Sequence, residues 1–186
     1  MVASGNLWGK VGRHGKVVGT SMHSDVPATT RLYPPNPAHR IPVMFIGEHS
    51  HSIDEKGRLQ VPVKWRSKLA GGAVVTKGFD GSLKFYPAEK WGEIAAKLAQ
   101  LPQSQPQARA FVRQTLAGAV DVELDKLGRV LLPPYLREYA HLTKQAVLAG
   151  LHDHVEIWST DTWKKYQDSM DMDSPEYYQT LKDIGI

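Results

Sequence analysis

The pentapeptide Asp54-Glu55-Lys56-Gly57-Arg58 returns later in the chain as Asp125-Lys126-Leu127-Gly128-Arg129. Each copy is followed by a short apolar run and a proline, Pro62 and Pro133. These residue types allow two chemistries. In one, Asp54 and Asp125 cap a tight turn, Gly57 and Gly128 supply a positive φ, and each arginine pairs with its aspartate. That accounts well for Asp and Gly, but a turn does not need a long cation at its exit. In the other, a rigid hairpin holds out Arg58 and Arg129 as planar forks for a phosphate or a guanine edge. The first copy suits this better. Residues 54–68 carry Lys56, Arg58, Lys64, Arg66 and Lys68 against Asp54 and Glu55, whereas Leu127 and Tyr135 replace Lys56 and Lys64 in the second copy. Pattern alone leaves a nucleic-acid surface and a neutral structural repeat both open.

Other chemistries find less support. There is no cysteine, which excludes disulfides, thiolate metal sites and cysteine nucleophiles and fits a reducing cytoplasm. His49/His51 and His152/His154 each place two imidazoles on one face of a strand, a partial metal site. The pairs are not repeat-equivalent, and no carboxylate stands at a ligand spacing, so no metal is expected. No nucleophile motif, glycine-rich phosphate loop or paired acid is present, so neither an enzyme nor a cofactor is expected.

The elements that must carry the turns follow from patterning. Residues 45–53 and 58–61 read as strands flanking the first turn, joined as a hairpin and stopped by Pro62. A short helix over 62–70, a hairpin of 73–77 with 83–86, and a helix over 87–101 follow. The last places Trp91, Ile94, Ala95 and Leu98 on one face. A polar linker (102–107) and a helix (108–119) lead into a second round. Strands 120–124 and 129–132 flank the second turn, then come a helix (135–140), strands 145–150 and 155–158, and a helix (159–170) capped by Ser159 or Thr160. Arg66 matches Arg137, Phe85 matches Ile157, and Trp91 matches Trp163. A unit of about 50 residues is too small to bury a good core alone, so the copies should pack as a pseudo-dimer. Trp65, Trp91, Trp158 and Trp163 fall on apolar stripes and are expected in the core or a subunit interface.

Charge is unevenly spread. Residues 1–43 hold Lys10, Arg13, Lys16, Arg31 and Arg40 against Asp25. The remaining 18 basic and 18 acidic residues cancel over 44–186, so the net charge of +4 belongs to the leader. That leader, rich in Gly and Pro, is expected to be disordered, with Trp8 idle and Met44 as a natural start. The organisation expected is leader 1–43, first repeat 44–101, linker and helix 102–119, second repeat 120–170, and acidic tail 171–186. No apolar run reaches the roughly 18 residues of a membrane helix, so no membrane partner is expected.

"MFIGEHSHSIDEKGRLQVPVKWRSKL" with "VELDKLGRVLLPPYLREYA" resembles the MraZ family of bacterial transcriptional regulators. The resemblance implies an α+β, β-rich fold: two tandem AbrB/SpoVT-like swapped-hairpin units in one pseudo-dimeric domain, assembling as a homo-oligomeric ring in the cytoplasm on the nucleoid. It further implies binding to short direct repeats in double-stranded DNA upstream of its own division and cell-wall gene cluster. The motif arginines Arg58 and Arg129 would be the contacting residues; the basic crowding of the first copy, read from the residues themselves, adds Lys56, Lys64 and Arg66 as supporting contacts. AbrB-like folds also include antitoxins, whose tail covers a protein partner, and the acidic tail here offers a counterpart. The duplication favours the DNA reader.

Overall fold

The computed structural model describes residues 44–170, Met172 and 174–185. The expectations placed on residues 1–43 and on Trp8 lie outside the described residues. The first copy comprises β1 (Phe45–Ser52), β2 (Arg58–Gln60), α1 (Val63–Leu69), β3 (Ala73–Lys77), β4 (Leu83–Pro87), α2 (Ala88–Ala99) and α3 (Pro106–Leu116). The second comprises β5 (Val120–Val122), β6 (Arg129–Leu131), α4 (Pro134–Tyr139), β7 (Gln145–His152), β8 (His154–Ser159), α5 (Thr160–Ser169) and α6 (Pro175–Asp183). The expected α+β, β-rich architecture of two tandem units is present. Pro62 and Pro133, with φ near −52° and −57° and extended ψ, end one strand and open a short helix in each copy. Ser159, not Thr160, caps α5: its hydroxyl accepts from the Thr162 N–H at 3.1 Å.

Strand order is β1-β7-β8-β4-β3-β5 in a six-stranded antiparallel sheet, with β2-β6 as a separate pair. Exchanging the copies leaves both orders unchanged. The registers locate the pseudo-dyad. Leu59 pairs with its own repeat equivalent Val130, and Lys84 with its equivalent Glu156. About that axis Arg58 faces Leu131 while Gln60 faces Arg129, and Leu83 faces Ile157 while Phe85 faces Val155.

One expectation needs correction. The strands flanking the first turn do not form a local hairpin. β1 and β2 meet only in a single bridge, Ile53 to Leu59, while β1 pairs along its full length with β7 and β2 pairs with β6. In the second copy β5 likewise pairs with β3 of the first copy. Burial decides this. A three-residue strand gains few ladder bonds from any partner. The cross-copy arrangement, however, buries Leu59, Val61, Val130 and Leu132 completely around the axis. Phe45, Trp65, Phe85, Leu136 and Leu148 extend the same core, so the copies share it. Trp65 and Trp158 are buried, whereas Trp91 and Trp163 are half-buried.

Leu59→Ala removes a fully buried side chain on the axis and is expected to cost about 2–5 kcal/mol of stability. Urea denaturation checks this; a loss below about 1 kcal/mol would show that the axis is not where the two copies are held.

Candidate functional site

The two turns are built alike, atom for atom. The Asp54 Oδ1 accepts the backbone N–H groups of Lys56 and Arg58, both at 3.0 Å, and its main-chain oxygen accepts from Gly57 at 2.8 Å. Asp125 Oδ1 accepts from Leu127 and Arg129 at 2.9 Å each, and its main-chain oxygen from Gly128 at 2.8 Å. Gly57 and Gly128 sit at φ +80° and +74°, a region that disfavours a side chain. Each arginine then folds back on its aspartate. Arg58 Nε donates to Asp54 Oδ2 at 2.7 Å, and Arg129 Nε to Asp125 Oδ2 at 2.9 Å. Each turn is thus closed by its own aspartate, which also pairs with the arginine at the turn's exit.

Pairing of β2 with β6 sets the turns side by side and makes them unequal. Arg129 reaches across the axis: its Nη1 lies 3.3 Å from Asp54 Oδ2 while its Nη2 lies 2.7 Å from Asp125 Oδ2. Every nitrogen of its fork is thus committed. Arg58 spends only Nε, and among the described residues its two terminal nitrogens have no partner. Its side chain keeps 32% of its surface exposed, against 20% for Arg129. Gln60 adds a second crossing, donating to the Leu127 carbonyl at 3.1 Å. Lys56 and Lys126 stand exposed beside this pair.

Of the other sequence-selected cations, Lys64 lies away from the turns, whereas Arg66 lies against the second turn. Lys64 donates to the Ile46 carbonyl at 3.0 Å, eight residues before Asp54 and on the order of 25 Å away for extended strand. Arg66 donates through Nε to the Val61 carbonyl at 2.9 Å and packs on Gly128 of the second turn. Its repeat partner Arg137 does the same with Leu132, at 3.1 Å, and packs on Gly57. The repeat makes Arg66 and Arg137 equivalent, but no local signal in the chain sets either against the opposite turn. Lys126, a further exposed cation at the second turn, stands where the first copy has Glu55. An open cleft of about 690 Å³ lies beside the second turn, lined by Arg66, Ser67, Gly71, Glu123, Asp125 and Lys126.

Among the described residues no group of three or more histidine or carboxylate side chains is placed to hold a metal. His49 packs edge-on against Trp65 at 5.0 Å, and burial lowers its pKa, as it does for His51. His154 is bound through Nδ1 to Asp153 at 2.7 Å and stacks on Tyr86. His49, His51 and His154 thus each engage a neighbouring side chain.

Hydrogen bonds from its own turn hold the carboxyl of Asp54 below the usual range, with the Arg58 backbone N–H as the first cause. For Asp125 the Arg129 side chain leads, and the pKa falls from 3.8 to about 2. A depressed carboxylate stabilises the fold above its unfolded pKa, and that contribution disappears as pH falls through the folded value. Asp125→Asn is accordingly expected to be less stable than the parent at pH 7 and to approach it between about pH 4 and pH 2. Parallel denaturation curves across that range, with an NMR titration of the Asp125 carboxyl, check it; a midpoint near 4 would remove the turn's charge from the account.

Comparison with known proteins gives the context for this geometry. The family model described as "MraZ protein, putative antitoxin-like" matches residues 44–114 and again 115–183. A protein of Herpetosiphon aurantiacus named Transcriptional regulator MraZ is 47% identical over 143 residues, covering 77% of this chain and 100% of the relative. Proteins of the same name from Pelotomaculum thermopropionicum and Roseiflexus castenholzii are 46% and 42% identical, over 77% and 76% of this chain and 99% of each relative. With both copies matched in order and each carrying the turn, the chain belongs to the MraZ family.

Proposed function

We propose that this chain is a sequence-specific DNA-binding transcriptional regulator whose contact surface is the paired turns at the pseudo-dyad. The observation that carries this reading is the Arg58 fork. Asp54 fixes the guanidinium through Nε, which lowers the entropy lost on binding, while both terminal nitrogens stay open. Two parallel N–H groups on a planar cation match a phosphate or the O6/N7 edge of guanine. Lys56 and Lys126 add charge for the backbone, and Arg129 contributes what its two aspartates leave. The shared name of the relatives, Transcriptional regulator MraZ, agrees with this reading.

One chain neutralises few phosphates, so its binding is weak and strongly salt-dependent. Several chains in a ring on evenly spaced direct repeats, upstream of the chain's own division and cell-wall gene cluster, would add roughly 10²–10⁴ in avidity. Repeat-equivalent apolar positions support head-to-tail assembly. Phe79 stacks on Phe111 at 5.8 Å and is exposed, and its equivalent Leu151 is exposed beside Ile46. Contact between unlike copies closes rings when the rotation permits. No helix among the described residues is long and apolar enough to cross a membrane, and the proposed location is the nucleoid.

Arg58→Ala is expected to weaken binding to a fragment carrying its own promoter by about 1–3 kcal/mol and to reduce the salt slope by about one. Titrations across a salt series, with unfolding curves to confirm the fold, provide the measurement. A folded Arg58→Ala variant that binds as tightly as the parent would sink the assignment and leave a protein partner as the leading alternative.

A further inference from the structure

We infer that Arg66 and Arg137 are positioning residues that act crosswise, each fixing the Asp-x-x-Gly-Arg turn of the opposite copy. The inference rests on the reading of those turns as the DNA surface. Its geometry is a closed circuit, drawn twice. The Val61 N–H donates to the Gly128 carbonyl at 3.0 Å, the Val61 carbonyl accepts from Arg66 Nε at 2.9 Å, and the Arg66 guanidinium lies where a Gly128 side chain would stand. The Leu132 N–H donates to the Gly57 carbonyl at 3.0 Å, and the Leu132 carbonyl accepts from Arg137 Nε at 3.1 Å. The Arg137 Nε would be 2.8 Å from a Cβ on Gly57. Each glycine is thus required twice, for its positive φ and for the bare backbone face on which a planar cation rests.

The crossing reverses the ranking that charge along the chain suggests. Arg66 stands in the more basic copy, yet it supports the second turn, whose Arg129 is already committed to two aspartates. Arg137 stands in the less basic copy but supports the first turn, whose Arg58 keeps its fork open. Arg137 therefore governs the surface with more to offer DNA.

The test compares Arg137→Lys, Arg137→Gln and Arg66→Lys in the full chain with the parent. Lysine keeps the charge but lacks the planar group and the Nε donor, so it does not restore the clasp. Expected are binding on the order of tenfold weaker for Arg137→Lys, a smaller loss for Arg66→Lys, and a salt slope unchanged in both. Without DNA, amide exchange at Leu132 speeds up in Arg137→Lys while Val61 is unaffected, and the converse holds for Arg66→Lys. Arg137→Lys binding like the parent, or Arg137→Gln lowering the slope by about one with Leu132 exchange unchanged, overturns the inference, the latter marking a direct phosphate contact. A parent chain that does not prefer its promoter fragment removes the DNA reading instead, and the exchange result alone then decides whether the clasp exists.

Discussion

Antiparallel pairing of β2 with β6 is the constraint on which the rest depends. These two three-residue strands lie on the pseudo-dyad, with Leu59 opposite Val130 and both side chains fully buried. Six ladder residues contribute little hydrogen bonding by themselves. The pairing persists because it closes the shared core beneath it, and burial of apolar surface is the dominant favourable term in folding. Once the register is fixed, Arg58 must face Leu131 and Gln60 must face Arg129. That places the two Asp-x-x-Gly-Arg turns side by side at one end of the axis.

Symmetry at the axis is broken by side chains, not by backbone. Both turns use the same pattern of N–H groups on an aspartate, and both glycines occupy the same left-handed region. Yet Arg129 bridges two carboxylates while Arg58 engages one. Two carboxylates near one guanidinium hold it more firmly than one does, at the expense of its capacity for an outside anion. Duplication followed by such divergence gives a single chain one open fork and one brace. The brace also lends positive charge to Asp54, which already holds Arg58, so the two roles share one carboxylate.

Much of this fold was legible from the chain. The turns could be read because their chemistry is local: an aspartate accepting N–H groups two and four residues on, and a glycine at positive φ, need no distant partner. Helices were legible from the prolines and apolar spacing, as at Pro62, Pro133 and the Trp91–Leu98 face. The repeat itself announced two equivalent units and a shared core. The expected hairpin around Gly57 was wrong in one respect. Its turn closes locally, but its strands find partners in the other copy, β7 for β1 and β6 for β2.

A strand presents N–H and C=O groups that any other strand can satisfy, so composition and periodicity do not choose among partners. The choice fell to burial summed over the whole core, which no local window contains. Three consequences followed that the residues alone could not assign: Arg129 reaching Asp54, Arg66 and Arg137 resting on the opposite glycines, and Lys64 held near Ile46, away from the turns. Residue order thus settled which turns exist and how each closes on its own aspartate. The tertiary structure decided which arginine remains open, because only packing across the axis brings a second carboxylate within reach of one fork and leaves the other free.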